Sequence, residues 1–126
     1  MHKSQLAGFI IDCETDDLDA AADFWSAALG LKCKKYDDPA EANYVTLDTR
    51  PEDYHIEVQK VDHPSRVHLD IEADDIEAEV RRLEALGARR IGAVRRWVVM
   101  QAPTGQRFCV VNPQRAHFSD TANRWD

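Results

Sequence analysis

The feature that most restricts what this chain can fold into is an internal echo. The stretch Val67-His68-Leu69-Asp70-Ile71-Glu72-Ala73-Asp74-Asp75 has a counterpart 58 positions earlier, Phe9-Ile10-Ile11-Asp12-Cys13-Glu14-Thr15-Asp16-Asp17. Asp12, Glu14, Asp16 and Asp17 fall on Asp70, Glu72, Asp74 and Asp75. In both copies apolar residues alternate with polar ones, the period of a strand with one greasy and one wet face. Both then run into a cluster of aspartates, the side chains that cap a helix start. The chemically important departure is that Ile10 stands where His68 stands.

The same order of elements follows each copy. After the first, Leu18, Ala21, Ala22, Trp25, Ala28 and Leu29 make an apolar stripe at helical spacing, and Gly30 can close that helix. Strands are predicted over 32–36, 43–47 and 54–61, separated by turn-rich segments. After the second, Ile76, Val80, Leu83 and Leu86 mark a helix ended by Gly87, and strands are predicted over 89–93, 96–101 and 107–111. The chain therefore reads as strand-helix-strand-strand-strand, twice, with module 1 over about 7–61, module 2 over about 66–113 and a tail, 114–126, that docks through Phe118 and Trp125. Each module is too small to bury both faces of its sheet alone. The expectation is one domain of the α+β class. Two βαβββ modules pair into a curved mixed sheet, with helices on the convex face packed on Ile11, Cys13, Leu69 and Ile71. The concave face carries Asp12, Glu14, Glu57, His68 and Asp70 and forms a cup for a small molecule. The modules pair within one chain or across a dimer.

Composition narrows the function classes. With 126 residues, 44% of them hydrophobic and 31% charged, the chain can fill a core. A net charge of −7 excludes the basic face that non-specific nucleic-acid binding needs. No apolar run approaches the roughly 18 residues of a membrane span, and the first residues lack the apolar core of a signal peptide. Cys13, Cys33 and Cys109 are odd in number and without CxxC spacing, as expected for reduced thiols in the cytoplasm.

Four stretches resemble the vicinal oxygen chelate superfamily, which includes glyoxalase I, extradiol dioxygenases and fosfomycin and bleomycin resistance proteins. They are Phe24-Trp25 with Leu29-Gly30, Arg66-Val67-His68-Leu69-Asp70-Ile71, Arg82-Leu83-Glu84-Ala85-Leu86-Gly87-Ala88, and Ala102-Pro103-Thr104-Gly105-Gln106-Arg107-Phe108-Cys109-Val110. The resemblance covers residue 7 to about 113 and looks closest to a small glyoxalase-like subgroup. It implies a homodimer and a small-molecule partner. It also implies that metal enzymes of the family place ligands at the positions of Ile10, Glu57, His68 and Cys109. Ile10 cannot bind a metal, so the complete site is not expected and no resident cofactor is predicted. If a divalent metal (Zn, Ni, Mn or Fe) binds, its ligands are Glu57, His68 and Cys109.

Two function classes stay open. One is a lyase or isomerase, or a dioxygenase-type enzyme, acting either through Glu57, His68 and Cys109 on a metal or by metal-free proton transfer with His68, Asp70 and Asp12 as the catalytic groups. The other is a bleomycin-type sequestering protein that acts by affinity alone. In either case His68, Glu57, His55, Trp97, Tyr44 and Cys109 are the candidate substrate-binding residues. No Ser-His-Asp order, phosphate loop or dinucleotide fingerprint is present.

Overall fold

The computed structural model describes residues 1–126. The elements run β1 (His2–Glu14), α1 (Leu18–Leu29), β2 (Cys33–Lys35), β3 (Tyr44–Leu47), β4 (His55–Val61), β5 (Arg66–Ala73), α2 (Ile76–Ala85), β6 (Arg89–Val94), β7 (Trp97–Gln101), β8 (Arg107–Val111), α3 (Phe118–Thr121) and β9 (Asn123–Trp125). This is an α+β chain built on βαβββ twice. It divides into two compact units: the first is Phe9–Val67, and the second is Met1–Gly8 with His68–Asp126. No helix is long and apolar enough to cross a membrane.

In the first unit the strand order is β2, β3, β4, then the Phe9–Glu14 part of β1. β2, β3 and β4 form an antiparallel ladder in which Val45 faces Val58 and Leu47 faces Ile56. Val45, Leu47 and Val58 are buried on the side covered by α1, along with Ala22 of the helix. Pairing of Tyr44 with Gln59 and Thr46 with Glu57 places these side chains, and His55, on the opposite face. α1 begins as its sequence predicts. The Asp17 carboxylate accepts from the Ala20 amide at 3.0 Å, and Gly30 takes the left-handed φ of 70° that closes the helix. The predicted stripe is only partly covered, since Leu29 stays 47% exposed.

In the second unit the order is β9, the His2–Gly8 part of β1, β5, β8, β7, β6. β5 and β8 are parallel, as a crossover through α2 requires, and β6, β7 and β8 are antiparallel. Ala73, Val80, Leu83, Val98, Met100 and Val110 form the core, with Ile71, Ile76, Ala88 and Phe108 packed against it. Asp75, the counterpart of Asp17 in the sequence echo, caps α2 through the Ala78 amide at 3.0 Å.

Two features differ from the sequence expectation. β1 starts at His2, ahead of the module start expected near residue 7, and the tail, which docks through Phe118 and Trp125 as expected, does so as regular elements, α3 and β9. Both come from long-range pairing that local periodicity cannot register. β9 lies antiparallel to β1, with His2 opposite Trp125 and Ser4 opposite Asn123. The Trp125 indole N–H donates to Ser4 Oγ at 2.8 Å, while the Arg82 guanidinium stacks 3.9 Å from the centre of the Trp125 ring. Arg82 also donates twice to Glu79, at 2.8 and 2.9 Å, and His2 Nε2 lies 2.8 Å from Glu79 Oε1. Glu79 is fully buried. A second buried carboxylate, Glu72, accepts from the Gln5 amide group and from the backbone N–H groups of Gln114 and Arg115.

Burial pushes the Glu79 carboxyl up, but the hydrogen bonds from Arg82, His2 and Ser4 outweigh it and hold the group below its ordinary value. A carboxyl depressed by folding adds stability that is complete above its unfolded pKa and is lost as pH falls through the folded one. Removing the carboxylate strands Arg82 and His2 together. Glu79→Ala is therefore expected to cost about 3 kcal/mol in chemical denaturation. Glu79→Gln is expected to flatten the acid limb of the stability–pH curve, and an unchanged limb in that variant would refute the assignment.

Candidate functional site

The even-numbered residues of β5 point away from the core of the second unit. Asp70 lies directly opposite Cys109 across the parallel β5–β8 pair, and His68 precedes Asp70 by two residues on the same face. The consequence is a cluster in which the donor atoms of His68, Asp70 and Cys109 all lie within 4.8 Å of one another. His68 Nε2 is 3.5 Å from Asp70 Oδ1. Asp70 is only 9% exposed, and its Oδ1 accepts no hydrogen bond. A buried carboxylate oxygen without a donor is costly, at about 1–3 kcal/mol. Trp97 shares this face: Val99, two residues on, pairs with Cys109, and the Arg95 guanidinium stands 5.6 Å from the Trp97 ring centre. Imidazole, carboxylate, thiol and indole thus converge on one side of one sheet.

The remaining residues picked from the sequence lie in the first unit, in different settings. Glu57 is the centre of a hydrogen-bonded group. The Tyr36 hydroxyl donates to its Oε1, Thr46 Oγ1 lies 3.1 Å from the same oxygen and 2.9 Å from the Tyr36 oxygen, and His55 Nε2 stands 3.6 Å from its Oε2. Burial pushes the Glu57 carboxyl up, but His55 and Tyr36 outweigh it and keep it ionised below the usual carboxylate range. Burial and donation to Glu57 push the Tyr36 phenol strongly up. Tyr44 receives a hydrogen bond from the Gln59 amide at 3.0 Å. Asp12, 2% exposed, faces the half-exposed Arg66, with Arg66 Nε 3.6 Å from its Oδ2, which suits a scaffold role. Ile10 is also buried, at 2% exposure.

Of the sequence trio Glu57, His68 and Cys109, two residues lie in the second unit and one in the first. His68 and Cys109 are gathered with Asp70, whereas Glu57 belongs to the first unit and is engaged by Tyr36, Thr46 and His55. Tyr36 and Thr46 were absent from the sequence candidates. Their signal was the parity of β3 against β4, readable only once the register is known. An open groove of about 710 Å³ also lies in the first unit, lined by residues such as Glu14, Asp16, Asn43, Gln59, Asp62 and His63. Volume alone would place a ligand there, but it holds no group of unusual chemistry, and the convergent donors of the second unit are the stronger indication of function.

The four metal positions implied by resemblance do not fit a complete site, because Ile10 offers no donor and Glu57 already has strong partners. The His68–Asp70–Cys109 cluster can do two things chemically. A carboxylate beside an imidazole can hold and release a proton. The three donors can also share a cation. For the Glu57 group, Tyr36→Phe removes one donor from a depressed carboxyl. The Glu57 pKa is expected to rise toward its ordinary value, read by NMR of the side-chain carboxyl, with a stability loss of about 1 kcal/mol. A Glu57 that titrates identically in the variant would show that the Tyr36 contact does not hold in solution.

A model of the glyoxalase-like domain matches residues 8–111. No curated protein matches the chain. Among solved structures, a hypothetical protein from Bacillus halodurans C-125 superposes with a TM-score of 0.64 at 14% identity, covering 89% of this chain and 96% of that one. Methylmalonyl-CoA epimerase from Mycobacterium tuberculosis gives 0.65 at 17% identity, covering 86% and 87%. A glyoxalase/bleomycin resistance protein/dioxygenase superfamily member from Vibrio splendidus 12B01 gives 0.50 at 20% identity, covering 85% and 98%. At these identities the likeness shows a shared fold.

Proposed function

The chain belongs to the glyoxalase-like domain family, and from that premise we propose that it binds and acts on a small organic molecule at the polar face of its second unit. One observation carries this reading: His68, Asp70 and Cys109 converge on the sheet face that also carries Trp97, with a buried Asp70 oxygen that accepts no hydrogen bond. The cluster grips the polar end of the ligand, and the Trp97 ring offers an apolar wall for the remainder. The reaction class is that of a lyase or isomerase. In the metal-free protein the His68–Asp70 pair is the proton carrier, and Asp12 supports the fold rather than the chemistry. The free thiols of Cys13, Cys33 and Cys109 support work in the reducing cytoplasm, and the resemblance supports a homodimer. Tyr44, His55 and Glu57 supply a second polar surface in the first unit.

A second reading, sequestration by affinity alone, is favoured by Ile10, which removes a donor from the family's metal set. The two are separated with methylmalonyl-CoA and bleomycin as probes, one named for an isomerase of this fold and one for a sequestering protein. Binding is followed by calorimetry and turnover by chromatography of the products. Turnover of the thioester, reduced at least about tenfold by His68→Ala and by Asp70→Asn, is the expected result for the enzyme. Binding of bleomycin without turnover of the thioester would replace it by sequestration. Affinity and turnover untouched by both substitutions would remove this face as the working site.

A further inference from the structure

We infer that the ligand of the second unit is a small organic acid, its carboxylate held by Arg107 and Arg89 and its apolar body lying along β7 toward Trp97. The inference deepens the reading above, rests on it in placing the ligand on this face, and adds the ligand's charge.

Strand register carries it. Phe108 of β8 packs on the core, so Arg107 and Cys109 lie on the other face. Across β7, Arg107 pairs with Gln101 and Cys109 with Val99. In the parallel β5–β8 pair, one step before Leu69 and Phe108, His68 and Arg107 stand side by side. On the far side of β7, Gln101 is the partner of Arg89. His68, Arg107, Gln101 and Arg89 therefore form one row across four strands.

Arg89 reaches this face through an irregularity in β6. Arg90 pairs with Met100, but the next pair is Gly92 with Val99, which leaves Ile91 as an extra residue. Strict alternation would set Arg89 and Gly92 on opposite faces, and the bulge sets both on the polar one. Arg90 then turns to the helix side, where it donates to both carboxylate oxygens of Glu77 on α2 at 3.2 and 2.7 Å.

The arginines of this unit are used in two ways. Arg82 and Arg90 are spent on Glu79 and Glu77. Arg107 and Arg89 meet no carboxylate and make no side-chain hydrogen bond, in a chain whose net charge is −7. Arg107 is half-buried as well. Its guanidinium stays charged at every working pH, and its fork of donors matches the two oxygens of a carboxylate. Strands about 4.8 Å apart put the backbones of Arg107 and Arg89 about 9.6 Å from each other, a gap that two extended arginines close over the Gln101 amide. Asp70 lies one same-face step further along β5, roughly 6.6–6.8 Å from the row, and so does not crowd the anion.

Beyond the row the face turns apolar. Val99 and Gly92 make its floor, and a Cβ added at Gly92 would meet nothing within 4 Å. Val94 and Trp97, a register pair, close the far end. Gln101 and Trp97 are four residues apart on one strand, about 13 Å, which is room for a body of several carbons.

The test is calorimetric titration of the full-length protein with 4-phenylbutyrate and with its neutral amide, 4-phenylbutanamide. The acid is expected to bind at least about tenfold more tightly than the amide. Arg107→Gln is expected to bring the acid down to the affinity of the amide while leaving the amide within about twofold. Arg90→Gln, which removes a guanidinium already paired with Glu77, is expected to keep the preference, and Trp97→Ala to weaken both compounds by the same factor. Circular dichroism confirms that each variant is folded. Equal affinity for acid and amide overturns the inference, as does no saturable binding of the acid, or a preference that survives in the folded Arg89→Gln, Arg107→Gln double variant. An acid preference abolished by Arg107→Gln, alongside thioester turnover untouched by His68→Ala and Asp70→Asn, keeps the anion site and overturns the proposed role of the cluster. Turnover lost in those two variants, with acid and amide bound alike, overturns the anion site alone.

Discussion

Alternation along β5 is the constraint on which the second unit depends. Ile71 and Ala73 face α2 and join the core. His68, Asp70 and Glu72 face the other way, and each has a different task. Glu72 is sunk completely and ties Gln5, Gln114 and Arg115 to the sheet. Asp70, two residues earlier, meets His68 and Cys109. A strand spaces such residues by roughly 6.6–6.8 Å, so neighbours on one face stay close enough to cooperate yet distinct enough to serve separate ends. The outer end of the row gathers the His68–Asp70–Cys109 cluster and the inner end carries anchorage.

The sequence echo is best understood through what became of its equivalent positions. Asp17 and Asp75 kept the same job and cap α1 and α2 with the same bond length. Asp12 and Asp70 are both buried, but one faces an arginine and the other a histidine. Glu14 is exposed at the end of its strand, whereas Glu72 is fully enclosed. The capping positions keep one job in both copies, while the equivalent strand positions have diverged in their partners. The buried carboxylates are therefore not one class: Glu72 and Glu79 are met by several donors and hold the structure, whereas Asp12 and Asp70 each face a cationic or imidazole side chain.

Much of the architecture was legible in the residues because it rests on local rules. Period-two alternation, aspartate caps and Gly30 located α1 within its observed bounds and β8 likewise. The family resemblance was legible for the same reason, since its motifs lie at helix ends and turns. The rest depends on partners distant in sequence. The polar run His2-Lys3-Ser4-Gln5 does not look like a strand until β9 and Asp74 are beside it. Arg90 meets Glu77 across 13 positions, and Tyr36 meets Glu57 across 21, pairings that no spacing rule on a single element anticipates. The site was half legible. Parity showed that His68 and Asp70 share a face, but that Asp70 lies opposite Cys109 is a matter of β5–β8 register.

That register has an evolutionary corollary. Inserting or deleting one residue between Val67 and Ala73 would exchange the two faces of β5 beyond the change. Carboxylates would then point at Val80 and Met100, and an apolar residue, Leu69 or Ile71, would take the place of Asp70 opposite Cys109. The core and the His68–Asp70–Cys109 cluster would be disrupted together. This strand can diversify by substitution but not by length, and ligand preference across relatives is expected to vary at fixed spacing here while the loops absorb insertions.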